Sequence, residues 1–206
     1  MFVMENSIDL VGFLLDPPTY SHEFGGVSYY VCMVKSEYVR NKVISPSYIR
    51  LYLPESMVFE NEIAPRTVVH VTGHLINSNH DGHRDISVSV DSIENCAVDT
   101  PRFNQIKLTG IITKFFTNDS NFANFVNFLI SLPDPSTNKR SVSLRVVAWS
   151  KLASLIFDTM DIGDTVTVLG SISNSYYDPS EETSKINIAD RVIISEVYCT
   201  ACTRND

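Results

Sequence analysis

Apolar and polar positions alternate with a period of two along most of the chain, the spacing that sends successive side chains to opposite faces of a strand. Alternation rich in Val, Ile, Tyr and Phe predicts strands over residues 7–15, 27–35, 46–53, 67–76 and 85–94. It predicts five more over 105–115, 124–132, 141–149, 164–173 and 186–197. Clusters of Gly, Pro, Asn and Asp between them read as turns. One segment breaks the period. In Lys151–Met160 the apolar residues Leu152, Leu155, Ile156 and Met160 follow helical spacing, and Gly163 supplies a stop.

The pattern occurs twice. Ile8–Leu14 (IDLVGFL) matches Ile106–Ile112 (IKLTGII), and Val68–Leu75 (VVHVTGHL) matches Thr165–Ile172 (TVTVLGSI). Ile86–Ile93 (ISVSVDSI) is set against Ile186–Ile193 (INIADRVI), and all three matches keep their order at offsets near 98. Gly12 falls on Gly110 and Gly73 on Gly170, as expected where a small barrel bends its strands. Three matches in register indicate a duplicated domain. Three strands, a helix and two strands is the order of an OB barrel. The expectation is therefore an all-β protein of two tandem five-stranded OB-fold barrels, with one short helix per domain. The first barrel is assigned to residues 1–98, the second to 105–206, and 99–104 is a linker too short for free tumbling.

Composition narrows the class. With 44% hydrophobic and 19% charged residues in 206, the chain has too much apolar content for disorder. Its start, MFVMENSIDLVGFLLDPP, places acidic residues before a short apolar run, which is no signal peptide. No later run approaches a membrane span. A soluble, cytoplasmic protein without membrane contact is expected. Cys199 and Cys202 have zinc-ligand spacing without a matching second pair, so buried or fraying thiols are the preferred reading and no metal is assigned. The loop Asn77–Arg84, with His80 and His83, reads as a solvated hairpin turn. No Gly-x-Ser-x-Gly, Gly-Lys-Ser/Thr or His-Glu-x-x-His pattern occurs, so neither an enzyme nor a cofactor is expected. The net charge of −8 is unevenly shared. Residues 1–102 carry 7 Lys+Arg against 13 Asp+Glu, and the remainder 9 against 11, so any phosphate grip favours the second copy.

The second copy contains Leu144-Arg-Val-Val-Ala-Trp-Ser-Lys-Leu-Ala153, then Gly163-Asp-Thr-Val-Thr-Val-Leu-Gly170. This resembles the bacterial single-stranded-DNA-binding (SSB) family, in which a third strand ends in an aromatic before Lys-Leu-Ala opens the helix. Val11-Gly-Phe-Leu-Leu-Asp-Pro17, leading to Gly25-Gly-Val-Ser-Tyr-Tyr-Val31, resembles the other end of the same pattern. The first copy departs from it, having Pro54-Glu-Ser-Met-Val58 where the aromatic and Ser-Lys-Leu-Ala are expected. The family's acidic C-terminal tail has no counterpart before Asp206. The resemblance implies non-enzymatic binding of single-stranded DNA, with RNA left open, in replication, recombination, repair or mobile-element and phage DNA handling. It implies a homodimer supplying four barrels, and a bacterial nucleoid or phage setting.

Such binding needs cations for phosphates and exposed rings for bases. Strand period puts Val142, Leu144, Val146 and Ala148 on the core side, and Ser143, Arg145, Val147 and Trp149 on the other. Trp149, the only Trp, also matches the family's stacking aromatic. Its alternative role is to cap a barrel end or seal an interface. Lys151 lies just beyond. Lys114 and Phe116 in the first loop, Tyr177 in the last, and Arg140 before the third strand complete the candidates of the second copy. Of the adjacent rings Phe115/Phe116 and Tyr176/Tyr177, only one of each pair is expected to reach the groove. Tyr48, Arg50 and Tyr52 are their counterparts in the first copy. The alternative function, suggested by the acidity of the first copy, is a protein-interaction or oligomerisation scaffold that has lost most DNA binding.

Overall fold

The computed structural model describes residues 5–40, 42–60, 63–80, 83–116, 125–133, 141–177 and 192–205. Among them the chain forms, in order, β1 (Asn6–Leu14), β2 (Thr19–Phe24), β3 (Val27–Arg40), β4 (Val43–Pro54), α1 (Glu55–Glu60), β5 (Val68–His80) and β6 (His83–Cys96). There follow β7 (Phe103–Phe116), β8 (Phe125–Pro133), β9 (Ser141–Trp149), α2 (Ser150–Thr159), β10 (Thr165–Tyr177) and β11 (Val192–Arg204). No helix is long and apolar enough to cross a membrane.

Two five-stranded barrels result, each with one short helix after its third barrel strand. In the first, β1 pairs with β5 and β3, β3 with β4, and β6 closes the circle against β4 and β5. In the second, β7, β8, β9, β11 and β10 close through the β10–β7 pairing. Alternate residues fill both interiors. Leu10, Val34, Leu51, Val71 and Val88 are wholly buried in one, and Leu108, Phe128, Val146, Val168 and Val197 in the other. The four residues assigned to the core side of β9 are at most 3% exposed. From α2, Ala153 and Ile156 turn inward, whereas Leu155 is exposed.

The pairings fix which residues correspond. Ile8 faces Gly73 in the first barrel as Ile106 faces Gly170 in the second. The register then carries Leu75 and Val88 onto Ile172 and Val197, and Leu51 onto Val146. Two of the three sequence matches therefore hold. The third does not: Val88 corresponds to Val197, an offset of 109, and the fifth strand of the second barrel runs from Val192 to Arg204 instead of 186–197. The extra residues precede that strand, and 178–191 lie outside the described residues. Gly73 and Gly170 both sit beside a bulge, where a Cβ would come within 2.2 Å of the Ser89 or Tyr198 carbonyl oxygen. Close backbone approach explains the shared glycine.

Three features exceed the sequence expectation. Strand β2 adds a hairpin to β3 through Gly25 and Gly26, both at positive φ. Strands β3 and β4 run on to Arg40 and Val43, making a hairpin longer than the barrel needs. Finally, β1 pairs with β7 from Asn6↔Leu108 to Val11↔Phe103, so one sheet passes through both barrels.

The long hairpin lies against the second barrel. Ser36 Oγ is 2.8 and 2.7 Å from the carbonyls of Val11 and Phe103, and Ser47 Oγ donates to the Ile172 carbonyl at 2.7 Å. The Asn104 side chain accepts from Ile172 N–H at 2.6 Å and reaches the Ile172 and Glu37 carbonyls with its amide. Asn174 Oδ1 accepts from the Tyr48 N–H. Ser36, Ser47 and Asn104 are almost completely buried, so these bonds satisfy polar groups that water does not reach.

Candidate nucleic-acid interface

The outer face of the second barrel is built by β7, β8 and β9. The shift between Ile112 and Lys114 in the β7–β8 pairing re-aims the end of β7. Phe115 consequently packs on core residue Phe128, at 5.8 Å between centroids, while Phe116 joins the outer face. Of the two adjacent rings, only Phe116 lies beside the two cations described next. The Lys114 ammonium lies 4.9 Å and the Arg145 guanidinium 5.5 Å from the Phe116 centroid. Both cations are exposed.

Trp149, at the end of β9, is half-buried. Its ring tilts against Phe125 at 4.8 Å, because Phe125 and Trp149 are register partners. A cation from the other barrel completes the cluster. The Arg40 guanidinium, on β3, stands 4.5 Å from the Trp149 centroid and 6.0 Å from that of Tyr198 on β11. Buried Tyr38 packs on Tyr198 at 5.9 Å. Between the rows lie Val147 and Asn127, 3% and 5% exposed, with no described hydrogen-bond partner for Asn127 Oδ1.

One carboxylate enters this surface. Glu196 on β11 approaches Arg145 at 3.9 Å. Burial pushes its carboxyl above the usual glutamate value, and the positive charges of Arg145 and Arg40 oppose that rise only in part. The two arginines and Glu196 therefore form one electrostatic unit beside the rings.

Of the remaining second-barrel candidates, only the Lys151 side chain is described. Lys151 is exposed in the first turn of α2 and has no described contact with the cluster. Arg140 and the Tyr177 side chain lie outside the described residues. Arg40, Tyr38, Phe125 and Tyr198 were not anticipated. Phe125 carried a usable signal, since it opens an alternating strand; the other three depend on how the barrels dock.

The first barrel repeats part of this surface. By register Arg50 corresponds to Arg145, Tyr29 to Phe125 and Pro54 to Trp149. Tyr52 stands on the outer face with Arg50, and His22 stacks on Tyr29 at 5.3 Å and meets Tyr52 edge-on at 5.8 Å. Tyr48 is half-buried and its backbone is tied to Asn174. Counting on by the offset of 98, Asp16 takes the place of Lys114, which disfavours phosphate here.

Elsewhere, Cys199 and Cys202 are buried thiols, and hydrogen bonding to Cys202 together with burial pushes the Cys199 thiol up. No group of three or more potential metal-ligating side chains occurs among the described residues.

Two closed barrels, one with cations and rings gathered on its outer strand face, define a tandem OB-fold protein. No protein-family profile and no curated protein sequence matches the chain. Among solved structures, the wild-type single-stranded DNA binding protein from Thermus aquaticus aligns over 98% of this chain and 94% of its own, with a TM-score of 0.73 and 18% identity. A deletion mutant of that protein gives 0.74, 18% identity, and 98% and 95% coverage. The likeness is one of fold, and it extends over both barrels.

Proposed function

We propose that the chain binds single-stranded DNA, without chemistry of its own, along the outer face of the second barrel. The observation that carries this reading is the placement of Lys114 and Arg145 over Phe116, beside Trp149, on one strand face. Rings offer stacking to any base, about 1–3 kcal/mol per base, while the cations meet phosphates. Stacking and phosphate contact both tolerate any base, so the binding is largely independent of sequence. A role in DNA replication, recombination, repair or mobile-element handling follows, with Arg50, Tyr52 and Tyr48 extending the path onto the first barrel. The solved neighbours named for single-stranded DNA binding share the whole two-barrel arrangement, which supports the same reading.

The test is titration of the full chain with a labelled oligo-dT, read by anisotropy and by Trp149 emission at low and near-physiological salt. The expected result is saturable binding that weakens with salt, quenches Trp149 and discriminates against duplex DNA. Absence of binding at low salt overturns the proposal. A salt-insensitive association with protein would then favour a scaffold, the reading that the acidic first barrel supports.

A further inference from the structure

Arg40 is the one cation of the aromatic cluster that comes from the first barrel. It ends β3, on the hairpin fastened to the second barrel by Ser36, Ser47, Asn104 and Asn174. Its guanidinium stands over the ring of Trp149 at 4.5 Å. A guanidinium over an aromatic face retains N–H donors that the ring does not occupy, and these suit a phosphate. Glu196 is the carboxylate whose charge it feels, yet no ion pair within 4.0 Å ties Arg40 among the described residues. The side chain is thus held in place by rings and left with donors to give.

We infer that Arg40 is a phosphate-binding residue of the second barrel's stacking site, so that the site is composite and a single strand is gripped where the two barrels meet. This rests on the single-strand reading above. The geometry explains why the hairpin is longer than the first barrel requires: β3 and β4 remain paired as far as Arg40↔Val43, beyond the core residues Val34 and Ile49. It also explains the partners of Trp149. Phe125 and Arg40 hold the ring in one orientation, and preorganised groups lose less freedom when a ligand arrives. A strand leaving Arg145 and Phe116 then passes Trp149 and meets a cation already in position.

The experiment compares the full-length wild type with Arg40→Ala and Arg40→Lys, using labelled oligo-dT anisotropy across a salt series. Arg66→Asn serves as a control: it removes one positive charge at an exposed loop residue with positive φ, a conformation Asn accepts. Expected for Arg40→Ala is affinity lower by about tenfold, with the slope of log K against log salt smaller by about 0.7, the release expected for one single-strand phosphate. Arg40→Lys keeps most of the slope, because the charge remains, while losing part of the affinity with the planar fork. The control keeps the wild-type slope. Wild-type binding with an unchanged slope in Arg40→Ala overturns the composite site alone. Tighter binding by Arg40→Ala overturns it too, since Arg40 would then be a plug over Trp149. Failure of the wild type to bind removes the single-strand reading itself. Arg40→Lys preserves length and charge, so loss of its salt slope with an unchanged melting temperature also counts against the inference.

Discussion

At the scale of the residue, Arg145 and Arg50 occupy corresponding positions in unequal surroundings. Arg145 has Lys114 and Phe116 beside it, whereas counting by the repeat places Asp16 where Lys114 would be. Arg145→Ala is therefore expected to weaken oligo-dT binding by about 1 kcal/mol or more, and Arg50→Ala by less; anisotropy titration of the two variants checks the order. Glu196 acts in the opposite sense. Its folded carboxyl is held above the unfolded value by burial, which the two arginines offset incompletely. A group raised in the fold contributes stability below its unfolded pKa and loses that contribution as pH rises through the folded value. Above its folded pKa the charged Glu196 is thus a net burden to the fold, and it stands 3.9 Å from Arg145, a cation of the proposed binding face. Glu196→Gln is expected to tighten oligo-dT binding at pH 7, to leave the melting temperature equal or higher there, and to bring no gain in stability near pH 4. Melting curves at both pH values and titration at pH 7 test this. Period two along β9 made Arg145 and Trp149 legible in the sequence. Arg40 was illegible, because its partner ring is more than a hundred residues away and nothing local to Arg40 marks it as facing a Trp.

At the scale of the element, what was legible is what local pattern controls. Nine of the ten expected strands overlap their observed counterparts over most of their length, since alternation alone decides which face is buried. The last was misplaced, because Ile186–Ile193 imitates the alternation of the true strand and the register that corrects it comes from parallel pairing with β9. β2 escaped notice because its residues are largely exposed and show no buried period. The glycine bulges were legible as bends, while their steric reason required the opposite backbone. At Gly170 a Cβ would lie 2.2 Å from the Tyr198 oxygen and 3.1 Å from its carbonyl carbon. Backbone cannot rotate away as a side chain can. Gly170→Ala is expected to cost about 3 kcal/mol and to displace β11, the strand that carries Tyr198 and Glu196. Urea denaturation should show the loss with an unchanged m-value, and oligo-dT affinity should fall with it; a loss below about 0.5 kcal/mol would mean that the bulge relaxes freely.

At the scale of the molecule, the chain encloses two barrels in one continuous sheet, and the composite site proposed above requires that they be firmly fixed to each other. If the proposed homodimer of four barrels forms, light scattering should report twice the 23.1 kDa of the chain; a monomer at micromolar concentration would remove it. The fixing of the two barrels within one chain is more directly open to test. The Asn104 side chain closes a buried bond with Ile172 N–H at 2.6 Å, and its amide reaches the Glu37 carbonyl at 3.4 Å. Glu37 belongs to the same strand as Arg40, three residues earlier. Replacing Asn104 by Ala leaves the Ile172 N–H without its partner in a place water does not reach, a cost of about 1–3 kcal/mol. For a chain of this size each kcal/mol lowers the melting temperature by roughly 2–4 °C. The larger consequence falls on the composite site, because the hairpin would lose one of the ties that set Arg40 over Trp149. Asn104→Ala is therefore expected to lower both the melting temperature and the oligo-dT affinity, while Asn104→Ala combined with Arg40→Ala binds no worse than Arg40→Ala alone. That non-additivity is the signature of two residues acting through one contact. Full additivity in the double variant would show that Asn104 supports the fold and Arg40 the binding, with the hairpin held in place by its remaining bonds.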